Sequence, residues 1–491
     1  MNTLPPPPLH QKTLDRIQRL VADNATVYDP SIILEQLDNI ALDLYLSKTS
    51  ETGTFVVLTS RNGPRWTAID FKFLLKKYFK TVRIECIEDD LIGICNTAPK
   101  PYRLAFTMPV KNEARDIERV LKSFRGAADY IVIGIDDKTT DATEEIVRRY
   151  ADDVFSFTWE NDFSKARNTC IERCHRHLSS TDDWIFMSEG HEHLEAGLDE
   201  LLNLDQIPSG VQAVEVRRED CDYAWMFPWL FRNRPELCFE NPAHNSLVYD
   251  ARYGVQLPAI RTWHAAHPDN RKERSFQRRY MNRHILLQNL TADPRDGRSC
   301  FYLANEWRAE NNDKAIEYYC RYLSMNGKNK PERYQARLAL SQCLIRRVSN
   351  HAKMPMTPAL EELQRDDMQL AYDTLIVASI DDWSRNEHWL YLGDLCSTQA
   401  NRLEQAMRFY ELAATSIGRE PLTFMWIEKA QYSWIPAQKL VTIYARLGML
   451  TEALPWCEKV AQLLPDWAPQ EARDEVERHR QTIIEKVGGL Q

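Results

Sequence analysis

The chain has 491 residues, of which 44% are hydrophobic and 27% charged, with a formal net charge of −9. That length calls for two or three cores rather than one, and no run of roughly 18 apolar residues offers a bilayer span. The acidic balance argues against a protein that coats nucleic acid through counterion release. Eleven cysteines without a CxxC pair fit the reduced thiols of a cytoplasmic protein.

The opening Met1-Asn2-Thr3-Leu4 and Pro5 to Pro8 lack the basic start and apolar stretch of a signal peptide. Residues 13–23, 31–46 and 65–79 carry helical spacing, while Thr54 to Thr59, Thr81 to Ile87 and Leu91 to Cys95 are short runs suited to strands. Residues 1–100 are therefore expected to form a small α/β N-terminal domain. Asn96 to Pro101, with two prolines, is its linker. From Arg103 strand and helix alternate. Strands are expected at Leu104 to Pro109, Tyr130 to Ile135, Val154 to Trp159 and Trp184 to Met187, and helices at Glu113 to Phe124, Thr140 to Tyr150 and Ser164 to His177. Such alternation predicts an α/β domain over 101–295 with a mostly parallel sheet, and ligands at the carboxyl ends of its strands.

Past about Ser299 the pattern is helix after helix, so 296–491 is expected to be an all-α domain. Ala315 and Tyr319, Ala406 and Tyr410, and Ala453 and Cys457 each set a small residue four before a larger one. Leu392-Gly393 and Leu447-Gly448 fall in the preceding helices, as in tetratricopeptide units whose small residues let paired helices approach closely. Just ahead of that domain, Arg271, Lys272, Arg274, Arg278, Arg279 and Arg283 form a basic cluster at helical spacing.

Three strand-end segments carry the chemistry: Thr107 to Glu113, Ile133 to Thr143, and Trp159 to Asn168. Asp136, at the end of an apolar strand, can accept hydrogen bonds from a nucleobase or ribose, or simply shape a turn. Arg167 near a helix start offers a fork, beside free amides, that suits a diphosphate. A structural Asp162–Arg167 pair is the plainer reading. In this order the segments resemble family-two glycosyltransferases of the GT-A fold, in the branch with tetratricopeptide repeats behind the catalytic domain. The resemblance implies a nucleotide-sugar donor, UDP-sugar or another NDP-sugar, bound by Pro109, Asn112, Glu113, Asp136, Asp162 and Arg167.

Phe186 to Leu194 departs from that family, with Glu189-Gly190-His191 in the place of its Asp-x-Asp metal motif. Glu189 remains a hard oxygen ligand, and His191 moves the site from Mg²⁺ toward Mn²⁺. Thr262 to His267 resembles the family's segment that supplies a histidine to the metal, with His264 better aligned than His267. Glu192 aligns with a family acid near the acceptor, and Asp220 and Glu240 are further candidates for the base that takes the acceptor proton. The expected function is an inverting, metal-dependent transfer of a hexosyl or pentosyl group to a peptide, a glycan or a hydroxymethylated DNA base, with a homo-oligomer left open. The alternative is a non-catalytic repeat protein with a vestigial transferase domain.

Overall fold

The computed structural model describes residues 101–265, 271–325, 329–353, 355–465 and 470–488, together with five strands nearer the N-terminus. Helices expected at 13–23, 31–46 and 65–79, most of the linker, and His267 lie outside the described residues. The chain divides into two compact units, Met1–Arg217 with Pro228–Asn241 and Asn245–Ala265, and Arg218–Phe227 with Pro242–His244 and Ala266–Gln491. Among the described residues no helix is long and apolar enough to cross a membrane.

The first unit holds two larger sheets and a small two-stranded one. Strands β1 (Ala25–Val27), β2 (Ser47–Thr49), β3 (Thr54–Leu58), β4 (Val82–Ile87) and β5 (Asp90–Asn96) form an antiparallel sheet of order β1-β2-β3-β5-β4. The last three match the strands expected there. In the larger sheet β6 (Leu104–Val110), β7 (Tyr130–Asp136), β8 (Asp153–Phe157) and β9 (Trp184–Met187) run parallel in the order β9-β6-β7-β8. β6 and β9 read as continuous apolar runs because both faces are covered, and only Pro109 among their residues escapes full burial. Crossovers carry α1 (Ile117–Phe124), α2 (Thr143–Val147) and α3 (Phe163–Cys174). α1 buries Ile117, Val120, Leu121 and Phe124, one helical face, and Phe124 stacks on Phe106 with ring centroids 4.0 Å apart.

After β9 the sheet changes character. β10 (Glu192–Ala196) is followed by the short α4 (Leu198–Leu201), then β11 (Ala213–Glu219), β12 (Tyr223–Arg232), the small hairpin β13 (Phe239–Glu240) and β14 (Ser246–Leu247), and β15 (Gly254–His264). Order continues β10-β15-β11-β12-β9, with β12 antiparallel to β9 and β10 antiparallel to β15. The sheet is therefore mixed: the parallel half is the part expected from alternation, and the antiparallel half arises where hairpins replace crossover helices.

In the second unit β16 (Ile427–Glu428) pairs with Tyr223 and Ala224 at the start of β12. Its helices are α5 (Arg271–Ala292), α6 (Gly297–Trp307), α7 (Asn312–Ser324), α8 (Lys330–His351), α9 (Pro358–Asp381), α10 (Glu387–Ser397), α11 (Leu403–Ala414), α12 (Trp434–Arg446), α13 (Leu450–Leu463) and α14 (Gln470–Gly488). Ala315, Ala406 and Ala453 are fully buried, as the repeat of small residues requires. Gly393 lets α11 approach α10 so closely that a Cβ would lie 2.4 Å from Tyr410 Cε1. Gly448 differs from the expectation. With φ +76° and open space around it, it follows Leu447, the C-cap of α12, and ends that helix instead of seating a neighbour.

Candidate functional site

The site grows from the turn after β9. Ser188 donates its amide to the Thr107 carbonyl, which holds the strand end, and the Glu192 amide closes a turn onto the Glu189 carbonyl. Inside that turn Gly190 is buried under the Glu113 side chain. β10 then pairs with β15 so that Glu192 faces His264, and the Ala265 amide reaches the His191 carbonyl at 3.1 Å. This register brings two distant histidines together. Their rings meet edge to face, 4.5 Å between centroids, and ligand atoms of Glu189, His191 and His264 lie within 4.8 Å of one another.

The donor set fits a cation. His191 Nε2 and Glu189 Oε2 are 3.4 Å apart, close to the roughly 3–3.4 Å expected of neighbouring ligands about 2.1 Å from one ion. Two imidazoles and a carboxylate suit a first-row transition ion better than Mg²⁺.

A layer of partners fixes these three side chains. Glu192 is fully buried, with Oε1 3.4 Å from His264 Nδ1 and Oε2 accepting from Trp229 Nε1 at 3.2 Å. That arrangement assigns the Nδ1 proton of His264 to Glu192, so that Nε2 is the nitrogen that could ligate a cation. Trp229 also lies under Arg167, whose guanidinium is 4.5 Å from its ring. Arg167 in turn donates to Glu189 Oε1 at 2.7 Å and to Asn245 Oδ1 at 2.6 Å. One chain of contacts thus runs from His264 through Glu192, Trp229 and Arg167 to Glu189. On the opposite side Glu113 Oε1 stands 3.5 Å from His191 Nδ1. Burial alone would lower the His191 pKa, but Glu113 and Glu189 outweigh it and raise the imidazolium to about 9.

The nucleotide-side candidates occupy the neighbouring strand ends. Asn112, with φ 52°, accepts from the Thr140 amide at 2.8 Å, and the Glu113 amide donates to Thr143 Oγ1 at 2.7 Å. These bonds tie the loop after β6 to the one after β7, and Pro109 sits in β6 opposite Gly134. Asp136 is buried, accepts from the Lys138 amide at 2.9 Å and pairs with Lys111 at 3.0 Å. Burial pushes its carboxyl up, yet the Lys138 amide and Lys111 prevail and hold it below the usual range. Asp162 caps α3, accepting from the Lys165 amide and the Ser164 hydroxyl. The Asp162–Arg167 pair is replaced by this cap and by Arg167's bond to Glu189.

Of the carboxylates considered as base, Glu240 is exposed on β13. Asp220 belongs to the second unit, where it accepts from the Asp222 and Tyr223 amides at 2.8 and 2.7 Å and shapes the turn before β12. His193 pairs with Glu195 at 3.2 Å. The sequence reading missed the parts played by Lys111, Trp229 and Asn245, two of which are far along the chain from the residues they hold.

Residues 106–186 match the family model of glycosyl transferase family 2. The matched segment spans β6 to β9 almost entirely, the parallel half of the sheet, and stops just before Glu189. A TPR repeat-containing protein of Synechococcus elongatus is 32% identical over 161 residues, 31% of this chain and 37% of that relative. The chain therefore spans a little over a third of the length of the curated relative it matches. Among solved structures, MamA is 14% identical over 40% of this chain and 95% of its own, with a TM-score of 0.29. A TPR protein from Thermus thermophilus is 13% identical over 43% of this chain and 94% of its own, also at 0.29. At such scores the overlap decides nothing about architecture, which rests on the helix pairs already described.

Proposed function

We propose that the first unit transfers a sugar, with inversion, from a nucleoside-diphosphate donor to an acceptor nucleophile, and that it uses a divalent cation held by Glu189, His191 and His264. The observation that carries this reading is the convergence of those three ligand atoms within 4.8 Å, beside a family 2 glycosyl transferase segment. A bound Mn²⁺, favoured over Mg²⁺ by the two imidazoles, would supply positive charge to the departing diphosphate. Arg167 keeps Glu189 in place, and Glu192 keeps His264 Nε2 turned toward the ligand position. Asp136, held by Lys111 and the Lys138 amide at the end of β7, presents acceptor oxygens suited to the ribose or base of a UDP-sugar. Because Glu192 is enclosed behind His264, it suits a positioning role, and of the other carboxylates the exposed Glu240 belongs to the same unit and stays the candidate for the base.

One observation favours the alternative of a non-catalytic repeat protein: Arg167 already compensates one oxygen of Glu189. Titration calorimetry separates the two. The transferase reading expects heat from UDP only when Mn²⁺ is present, and loss of that heat in His191→Ala with the fold retained. No heat with any nucleoside diphosphate overturns it. Peptide, glycan and hydroxymethylated DNA acceptors are then offered with a panel of sugar nucleotides, and the expected product is an intact-mass gain of one hexose or pentose.

A further inference from the structure

A cavity of about 480 Å³ opens where α6 turns into α7, beside the last turns of α8. Three guanidiniums line it, those of Arg308, Arg346 and Arg347, against two carboxylates, Glu310 and Asp313. Both carboxylates already have bases of their own. Arg283 on α5 reaches Glu310 at 2.6 Å, while Arg347 spans Asp313 at 2.9 Å and Asp367 on α9 at 2.6 and 2.8 Å. Arg308 and Arg346 are placed differently. Half-buried at the end of α6, Arg308 donates to Gln342 Oε1 at 2.6 Å, with its guanidinium 5.8 Å from the Trp426 ring. Arg346, exposed on α8, meets Cys343 Sγ at 3.3 Å. Among the described residues neither of these two arginines pairs with a carboxylate.

Uncharged donors on the same wall add to them. Asn311 caps α7 by accepting from the Lys314 amide, and among the described residues the amides of Asn312 and Asp313, in the first turn of this 13-residue helix, have no acceptor. Those amides form the positive end of the helix dipole. His351, which also lines the cavity, has a buried Nδ1 with no hydrogen-bond partner among the described residues. The facing end of α8 opposes them little, because the Val348 and Asn350 carbonyls are taken by the Ala352 and Lys353 amides. Two guanidinium forks above a helix N-terminus match the oxygens of a phosphate. The volume exceeds what that ion needs and falls within the roughly 300–1,000 Å³ of small-molecule pockets. We propose that this cavity is a phosphate site, gripped by Arg308 and Arg346 over the first turn of α7, for the free ion or the phosphoryl group of a small monoester. All its lining residues belong to the second unit, so the proposal is independent of the sugar-transfer reading.

Titration calorimetry on the full chain tests it, with a chelator present so that the candidate cation site contributes nothing. The probes are inorganic phosphate and glucose 6-phosphate, and one site is expected for each. Tighter binding of the ester assigns the remaining volume to an organic group, and equal affinity assigns the site to the free ion. Arg346→Gln, a change on an exposed side chain, should weaken binding about tenfold or more through the loss of a charge-assisted bond, and Arg308→Gln should do the same, with the circular dichroism unchanged. Asp313→Asn removes a negative charge from the rim and should strengthen binding by up to about fivefold. No heat from either probe at millimolar concentration, binding indifferent to both arginine changes, or an unphosphorylated acidic peptide that binds more tightly than either probe and displaces them would each overturn the proposal.

Discussion

A Cβ on Gly190 would lie 2.6 Å from Glu113 Cγ and 3.0 Å from Glu113 Cβ. The glycine between Glu189 and His191 thus lets Glu113 reach His191, and Gly190→Ala should push Glu113 aside without unfolding the sheet. We expect Mn²⁺ affinity to fall about tenfold, the size of effect seen when a ligand's supporting partner is lost, measured by the decrease of the free Mn²⁺ resonance signal. Glu192→Gln probes the other flank. It keeps the volume and the acceptor for Trp229, but removes the charge facing His264 Nδ1. Metal affinity should fall about 10- to 100-fold, with an altered Co²⁺ absorption band and unchanged circular dichroism. A purely structural role for Glu192 predicts lower thermal stability and an unaltered Co²⁺ spectrum. The three clustered side chains were legible, Glu189 and His191 because they share one short motif and His264 through the family resemblance. Their supports were legible only in part: Glu113, Arg167 and Glu192 stand in the same motifs, whereas Trp229 and Asn245 reach them through strand order and hairpin geometry that no local pattern encodes.

Elements with a one-sided or fully buried pattern were readable, and their ends were less so. The strand Trp184–Met187 was placed to the residue because all four side chains are buried and turn residues flank it. The helix expected from Glu113 begins only at Ile117, since Asn112 adopts a positive φ and the Glu113 amide is bound to Thr143 instead of a helical turn. Glycines show the same limit. Gly393 and Gly448 follow a leucine in similar contexts, yet one seats Tyr410 and the other ends a helix, a difference set by which helix lies opposite. Gly393→Ala should therefore cost about 1–3 kcal/mol through overpacking, whereas Gly448→Ala should be penalised only for its left-handed backbone, about 1 kcal/mol. Urea unfolding of the two variants measures both. At the C-terminal end of α3, Arg173 clasps Asp153 and so binds that helix to β8, with bonds of 2.6 and 2.8 Å. The Arg173 bonds outweigh burial, His177 adds to them, and the Asp153 carboxyl is held at about 2. A carboxyl lowered on folding stabilises above its unfolded pKa near 4 and loses that contribution as pH falls from about 4 to about 2. Asp153→Asn should remove roughly 1–2 kcal/mol at neutral pH, allowing for screening of the partly exposed Arg173, and should flatten the acid limb of the stability curve in that window.

On the scale of the whole chain, the candidate cation site draws on both the parallel and the antiparallel half of the mixed sheet. Glu189 and His191 stand at the end of the parallel half of the sheet, which the family match covers, while His264 arrives on β15 from the antiparallel half. A ligand that binds only when both halves are assembled stabilises the folded state by mass action, about 2.7 kcal/mol at one hundred times its dissociation constant. Mn²⁺ should accordingly raise the apparent Tm with a logarithmic dependence on its concentration, and chelation should return it to the starting value. His264→Ala should abolish the shift, because the remaining pair, Glu189 and His191, belongs to a single turn and binding there no longer depends on β15 having docked. Mg²⁺ at the same concentration should give a smaller shift, reflecting its poor match to imidazole. Equal shifts with Mn²⁺ in the parent and in His264→Ala would place the ion elsewhere, and the pairing of β10 with β15 would then be an ordinary sheet edge and not the step that completes the site.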